Sequence, residues 1–77
     1  MSDAIHLERC DPSRNMARFY RLELCQTLFG EVVLVRRWGR IGTRGRVFRT
    51  VMENHSDGER SLQHWHQKKH RRGYRAV

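Results

Sequence analysis

Glu31-Val32-Val33-Leu34-Val35-Arg36-Arg37-Trp38-Gly39-Arg40-Ile41-Gly42-Thr43-Arg44-Gly45-Arg46 joins an apolar run to a segment rich in arginine and glycine. Its first part is a β-branched run with no polar face. Such a run fits a central strand covered on both sides, although period alone leaves the start of a buried helix open. The strand continues into Arg36, Arg37 and Trp38. Gly39, Gly42 and Gly45 then recur every third residue, which rules out a comfortable helix and predicts a strand end followed by a turn around Thr43. From Arg36 to Arg46, five of eleven residues are Arg, three are Gly and none is acidic. Positive charge therefore sits on a backbone that can turn sharply and let a ligand come close. A planar Trp among guanidinium groups suits a partner with phosphates and flat rings or sugars, which means nucleic acid before anything else.

Upstream, Ile5 and Leu7 alternate with His6 and Glu8, a short strand pattern reaching about Arg9. The next six residues, Cys10-Asp11-Pro12-Ser13-Arg14-Asn15, hold the only Pro and several turn formers. From Met16 to about Gln26 the alternation resumes, with Tyr20, Leu22 and Leu24 on one face and Arg21 and Glu23 on the other. This predicts a second strand antiparallel to the first, broken at Phe29 and Gly30. Downstream of the glycines, Val47 to Met52 reads as a fourth strand. Ser56-Asp57-Gly58-Glu59 has the form of a capping box, and a helix of about four turns is expected from there to Arg72, stopping at Gly73. Leu62, Trp65, His66 and Lys69 give that helix one narrow face toward the sheet, with Trp65 supplying most of the contact. Tyr74 and the residues after it are expected to return as a short edge strand. The fold class is α+β: residues 1–77 as one domain, a small antiparallel sheet of four to five strands with one C-terminal helix packed on one face.

A chain of 77 residues has room for one small core, burying roughly 60% of its unfolded surface, so a large active-site cleft is not expected. The formal net charge is +8, and fourteen of the sixteen basic residues are Arg, with only Lys68 and Lys69 as lysines. That balance argues for a polyanionic partner bound through counterion release and forked phosphate contacts. The first residues show no basic region followed by an apolar run, and no stretch reaches the length of a membrane span. The expectation is a cytoplasmic protein that does not engage membranes, with the nucleoid as one place for it. Cys10 and Cys25 are too few for a disulfide framework, and the hairpin places them far apart, so both are read as reduced thiols.

Trp38 is the sharpest candidate. A core role at a strand end is the ordinary fate of a Trp, but Arg36, Arg37 and Arg40 flank it, which favours a partly exposed ring that stacks on a sugar or base. In extended geometry Arg36 and Arg40 share its face and Arg37 points away. Arg44 and Arg46 lie in and after the turn, within reach of a phosphate. Each alone is as readily a solvated charge; the cluster tips the set toward phosphate binding. The run Lys68-Lys69-His70-Arg71-Arg72 complements the helix dipole and extends the patch, with the Lys69 stem packed on the sheet. His66 and His70 are i, i+4 neighbours without further ligands at sensible spacing, so no metal is expected, nor any cofactor. No catalytic constellation is visible, and an enzyme is not expected.

The block Trp38-Gly39-Arg40-Ile41-Gly42-Thr43 resembles the WGR domain family. Tyr20-Arg21-Leu22-Glu23-Leu24 is similar to the family's tyrosine-led strand, Arg44-Gly45-Arg46 continues the motif, and Lys69-His70-Arg71-Arg72-Gly73-Tyr74 is similar to the basic helix end of bacterial members. The resemblance runs over nearly the whole chain in order. It implies a curved antiparallel sheet with a helix on one side and a role in binding DNA. In poly(ADP-ribose) polymerases such a domain sits at a DNA break, with the motif Trp against the terminal nucleotide and basic side chains holding the 5′ phosphate. Carried over, Trp38 is the packing residue with Arg40 beside it.

The expected function is thus that of a stand-alone module recognising DNA ends, nicks or 5′ phosphates without base specificity, through Trp38, Gly39, Arg40, Arg36, Arg44, Arg46 and Lys69. The alternative is a protein–protein adaptor in which Trp38 anchors an acidic partner. RNA binding would use the same charges, but the sequence lacks the aromatic pairs of common RNA modules.

Overall fold

The computed structural model describes residues 3–77. Strand β1 (Asp3–Asp11) turns through a single 3-10 turn at Pro12–Arg14 into β2 (Met16–Gln26), and β3 (Val32–Arg40) follows a tight turn. Strand β4 (Arg46–Met52) leads to helix α1 (His55–Arg71) and to the two-residue β5 (Arg75–Ala76). The sheet is antiparallel in the order β4-β3-β2-β1-β5. Every expected strand is present, and the edge strand adds the fifth.

Helix α1 lies across one face. Leu7, Tyr20, Leu22, Leu24, Val32 and Leu34 from the sheet join Leu62 and Tyr74 in one core, with Trp38, Met52 and Trp65 packed at its margin. Only that face is covered, which corrects the expectation that the strand of Val32–Val35 is covered on both sides. One helix can cover one face. The other face of β3 is shielded by its strand neighbours, and it leaves Val51 exposed on β4.

The helix also begins earlier than expected. Asn54, not Ser56, is the N-cap: its Oδ1 accepts from the Asp57 amide at 2.8 Å. Strand β4 ends at Met52, so the connection is two residues long and the helix must start at once to bring Gly58 and Leu62 against the sheet. Gly58 is buried there, where a Cβ would stand 2.7 Å from Leu24 Cδ1. The closest helix–sheet approach is therefore at Gly58 and Leu62, while Trp65 stays half-buried. At the other end, Gly73 (φ +99) donates to His70 O at 3.0 Å, and Tyr74 N–H to Lys69 O at 3.1 Å. This left-handed cap ends the helix and turns Tyr74 back into the core. Among the described residues no helix is long and apolar enough to cross a membrane.

The cap assignment has a direct test. Asn54→Ala is expected to cost about 1 kcal/mol in urea denaturation, and Ser56→Ala close to nothing.

Candidate nucleic-acid interface

Strand register builds the site. Leu7, Tyr20 and Trp38 form one cross-strand row under the C-terminal half of the helix, and Arg9, Arg18 and Arg40 form the row two residues further along the same face. Beyond the end of α1, these three arginines meet Lys69 and Arg72 from the helix terminus. Together with Trp38, Gly39 and Tyr74 they line a cavity of about 410 Å³. It has five cationic side chains and no carboxylate in its lining. None of the five is in an ion pair among the described residues. Arg40 keeps a long contact from Nη1 to Asn15 O at 3.4 Å, and the Arg9 side chain passes close against Gly73.

The glycine turn fixes the rim. A Cβ on Gly45 would stand 2.2 Å from Trp38 O, and its φ of +69 already calls for glycine. A Cβ on Gly39 would stand 2.7 Å from Gly45 Cα, so the two glycines let the hairpin close on itself beside the Trp. The Thr43 amide and hydroxyl both donate to Arg40 O, at 3.0 and 2.7 Å, and the Ile41 amide donates to Ala17 O at 2.9 Å. These bonds hold the backbone that carries Arg40.

Trp38 is half-buried. One side stacks on Tyr20, with ring centroids 5.9 Å apart and planes 18° off parallel. Arg36 stands near it, with Cζ 5.7 Å from the Trp38 centroid, 4.9 Å from Phe48 and 4.1 Å from Trp65. Arg36 also makes a long hydrogen bond of 3.5 Å to Tyr20 Oη. Burial pushes the Tyr20 phenol up, against the lowering pull of that guanidinium. Arg36 thus acts as an internal clamp between helix and sheet, a cation held by aromatic faces.

The sequence-derived candidates fall into distinct places. Trp38, Gly39, Arg40 and Lys69 line the cavity. Arg36 adjoins it with its head group engaged by rings, and Arg46 pairs across from Trp38 on the exposed edge strand. Arg44 lies on the opposite face of the sheet, in a depression of about 310 Å³ shared with Arg21, Arg37 and the carboxylate-bearing Glu8. Tyr74 also lines the cavity, as does Arg72 from the basic run at the helix end; so do Arg9 and Arg18, which the sequence reading leaves out. Their signal was present: alternation puts Arg9 on the face of Leu7 and Arg18 on the face of Tyr20, so fixing the first hairpin's register brings them together.

Lys69 is the most perturbed cation here. Its Nζ lies 4.6 Å from the Tyr20 ring centroid and 5.8 Å from that of Tyr74, a placement that favours the charge. Burial, followed by Arg72, Lys68 and Arg36, acts the other way and lowers its pKa from the ordinary 10.5. The fold therefore holds the charged form at a cost that vanishes as pH rises from the lowered pKa through the ordinary one. Lys69→Met, which keeps the stem, is expected to raise the thermal midpoint at neutral pH, with the gain shrinking across that alkaline window. A midpoint that falls at neutral pH would mean the ring contacts outweigh burial and repulsion.

The sequence model of the WGR domain matches residues 3–77. An uncharacterized protein of Sinorhizobium fredii is 42% identical over 71 residues, which cover 92% of this chain; the chain spans 35% of that relative's length. No solved structure matches.

Proposed function

The chain belongs to the WGR domain family, and from that membership together with the groove beside Trp38 we infer that it binds DNA at ends, nicks or 5′ phosphates. The observation that carries this reading is the cavity lining: five cations, no carboxylate and a half-buried Trp ring in one concavity. Guanidinium forks suit phosphate oxygens, and charge-assisted bonds of this kind are about twice as strong as neutral ones. An unbroken duplex offers phosphates but hides its base faces within the stack. A terminus or nick offers a phosphate and a sugar or base face at the same place, where Trp38 can contact the ring while the arginines hold the charge. Such a contact contributes about 1–3 kcal/mol and tolerates any base. In this reading the domain binds and does no chemistry of its own.

The test compares blunt duplex with and without a 5′ phosphate, nicked duplex, single-stranded DNA and RNA, and a closed circle, at two salt concentrations. The phosphorylated end and the nick are expected to bind tightest. Trp38→Ala should weaken end binding more than binding to the circle. Removing Arg9, Arg18, Arg40 or Arg72 singly should flatten the slope of log affinity against log salt by about one. A closed circle that competes as well as ends, or an RNA strand that binds better than any duplex, contradicts the proposal. Displacement of the DNA by polyglutamate at equal charge would favour docking on an acidic protein instead.

A further inference from the structure

At the other end of the β2–β3 hairpin, the turn presents two large apolar side chains side by side: Leu28 is 103% exposed and Phe29 92%. No other large hydrophobic residue among those described is so exposed. The turn is nevertheless well tied. Thr27 Oγ1 accepts from the Phe29 amide at 3.3 Å and from the Glu31 amide at 3.2 Å. The Thr27 amide donates to Glu31 O at 2.8 Å, and the Gly30 amide to Thr27 O at 3.0 Å. Two apolar side chains on a hydrogen-bonded turn lose little backbone freedom on docking, which is the condition for a preorganised anchor.

The charge around them is opposite to that of the groove. No Lys or Arg occurs from Gln26 to Val35, and Glu31 stands in the turn itself. Met52 pairs with Val32, which puts Glu53 at the same end of the sheet, and the start of α1 adds Asp57 in its first turn and Glu59 just after it. Asp57 is paired with Arg60 and Glu59 with His55, whereas Glu31 and Glu53 are in no ion pair among the described residues. These carboxylates disfavour a nucleic-acid or anionic lipid surface. They favour a socket whose rim is basic.

We propose that the Leu28–Phe29 turn is a protein-docking knuckle that seats in an apolar socket rimmed by Lys or Arg on a partner protein. Strand β3 separates it from Arg40 by nine residues, about 30 Å of extended chain, within a molecule 45 Å long. The partner and the ligand of the groove can therefore be held at once. The knuckle stands whatever fills the groove; only a role in tethering the partner to DNA rests on the nucleic-acid reading.

The test places p-benzoylphenylalanine at position 29 of the full-length protein in cells, irradiates, and identifies what is covalently captured after nuclease treatment. The expected adduct is another protein. Purified, that protein should bind the Leu28→Ser/Phe29→Ser variant more weakly than wild type by about ten-fold or more per side chain lost. It should also lose affinity with Glu31→Lys and keep it with Trp38→Ala. The double variant should keep the circular dichroism and thermal midpoint of wild type, which shows that its fold is intact. Capture of lipid, of nucleic acid or of a second copy of this chain overturns the proposal, as does the absence of any adduct. Equal binding of the captured protein by the double variant overturns it too.

Discussion

Five cations are held around one cavity by an antiparallel register and the end of one helix, and the rest of the structure follows from meeting that constraint. Like charges gathered without counter-charges repel, so they stay together only where a rigid frame leaves them no other place. Three of them, Arg9, Arg18 and Arg40, are fixed by the pairing of three adjacent strands. The other two, Lys69 and Arg72, arrive on the last turn of a helix whose position is set at its opposite end by Gly58 and Leu62. The lowered pKa of Lys69 is one local sign of the cost. A bound polyanion would relieve it, so the same arrangement that weakens the fold favours the ligand.

Aromatic rings hold this frame at the seam between helix and sheet. Arg36 lies within range of Trp65, Phe48 and Trp38, and Tyr20 lies under Trp38. A cation in that position keeps Trp38 upright at the groove edge without closing it off. The glycine hairpin completes the rim, because Gly45 lies where any side chain would collide with the Trp38 carbonyl. The Trp-Gly-Arg block is thus a packing solution as well as the rim of the groove.

Much of this was legible in the sequence, because strand alternation and the helical spacing of Leu62, Trp65, His66 and Lys69 are local patterns. The five-stranded sheet with its one helix and edge return follows from them. What was not legible depends on relations between distant segments. Arg9 and Arg18 look like ordinary surface charges until the turn at Pro12–Arg14 sets which residues face each other. Nothing local to Arg36 shows that Trp65 folds over its guanidinium. The capping-box pattern points to Ser56, whereas the short connection from β4 and the need to seat Gly58 give the cap to Asn54. Arg44 follows the motif directly, yet the turn delivers it to the other face.

The molecule is polar along its length, with cations and Trp38 at one end and carboxylates around an apolar turn at the other. Its sheet also offers a second, weaker basic surface, where Arg37 and Arg44 lie on the uncovered face. An NMR titration with a 5′-phosphorylated duplex end, following side-chain and amide signals on both faces, decides between the groove and this face most directly. Shifts are expected at Arg9, Arg18, Trp38, Arg40, Lys69 and Arg72, with Arg21, Arg37 and Arg44 little changed. Shifts concentrated at Arg37 and Arg44, with Trp38 unmoved, would contradict binding in the groove.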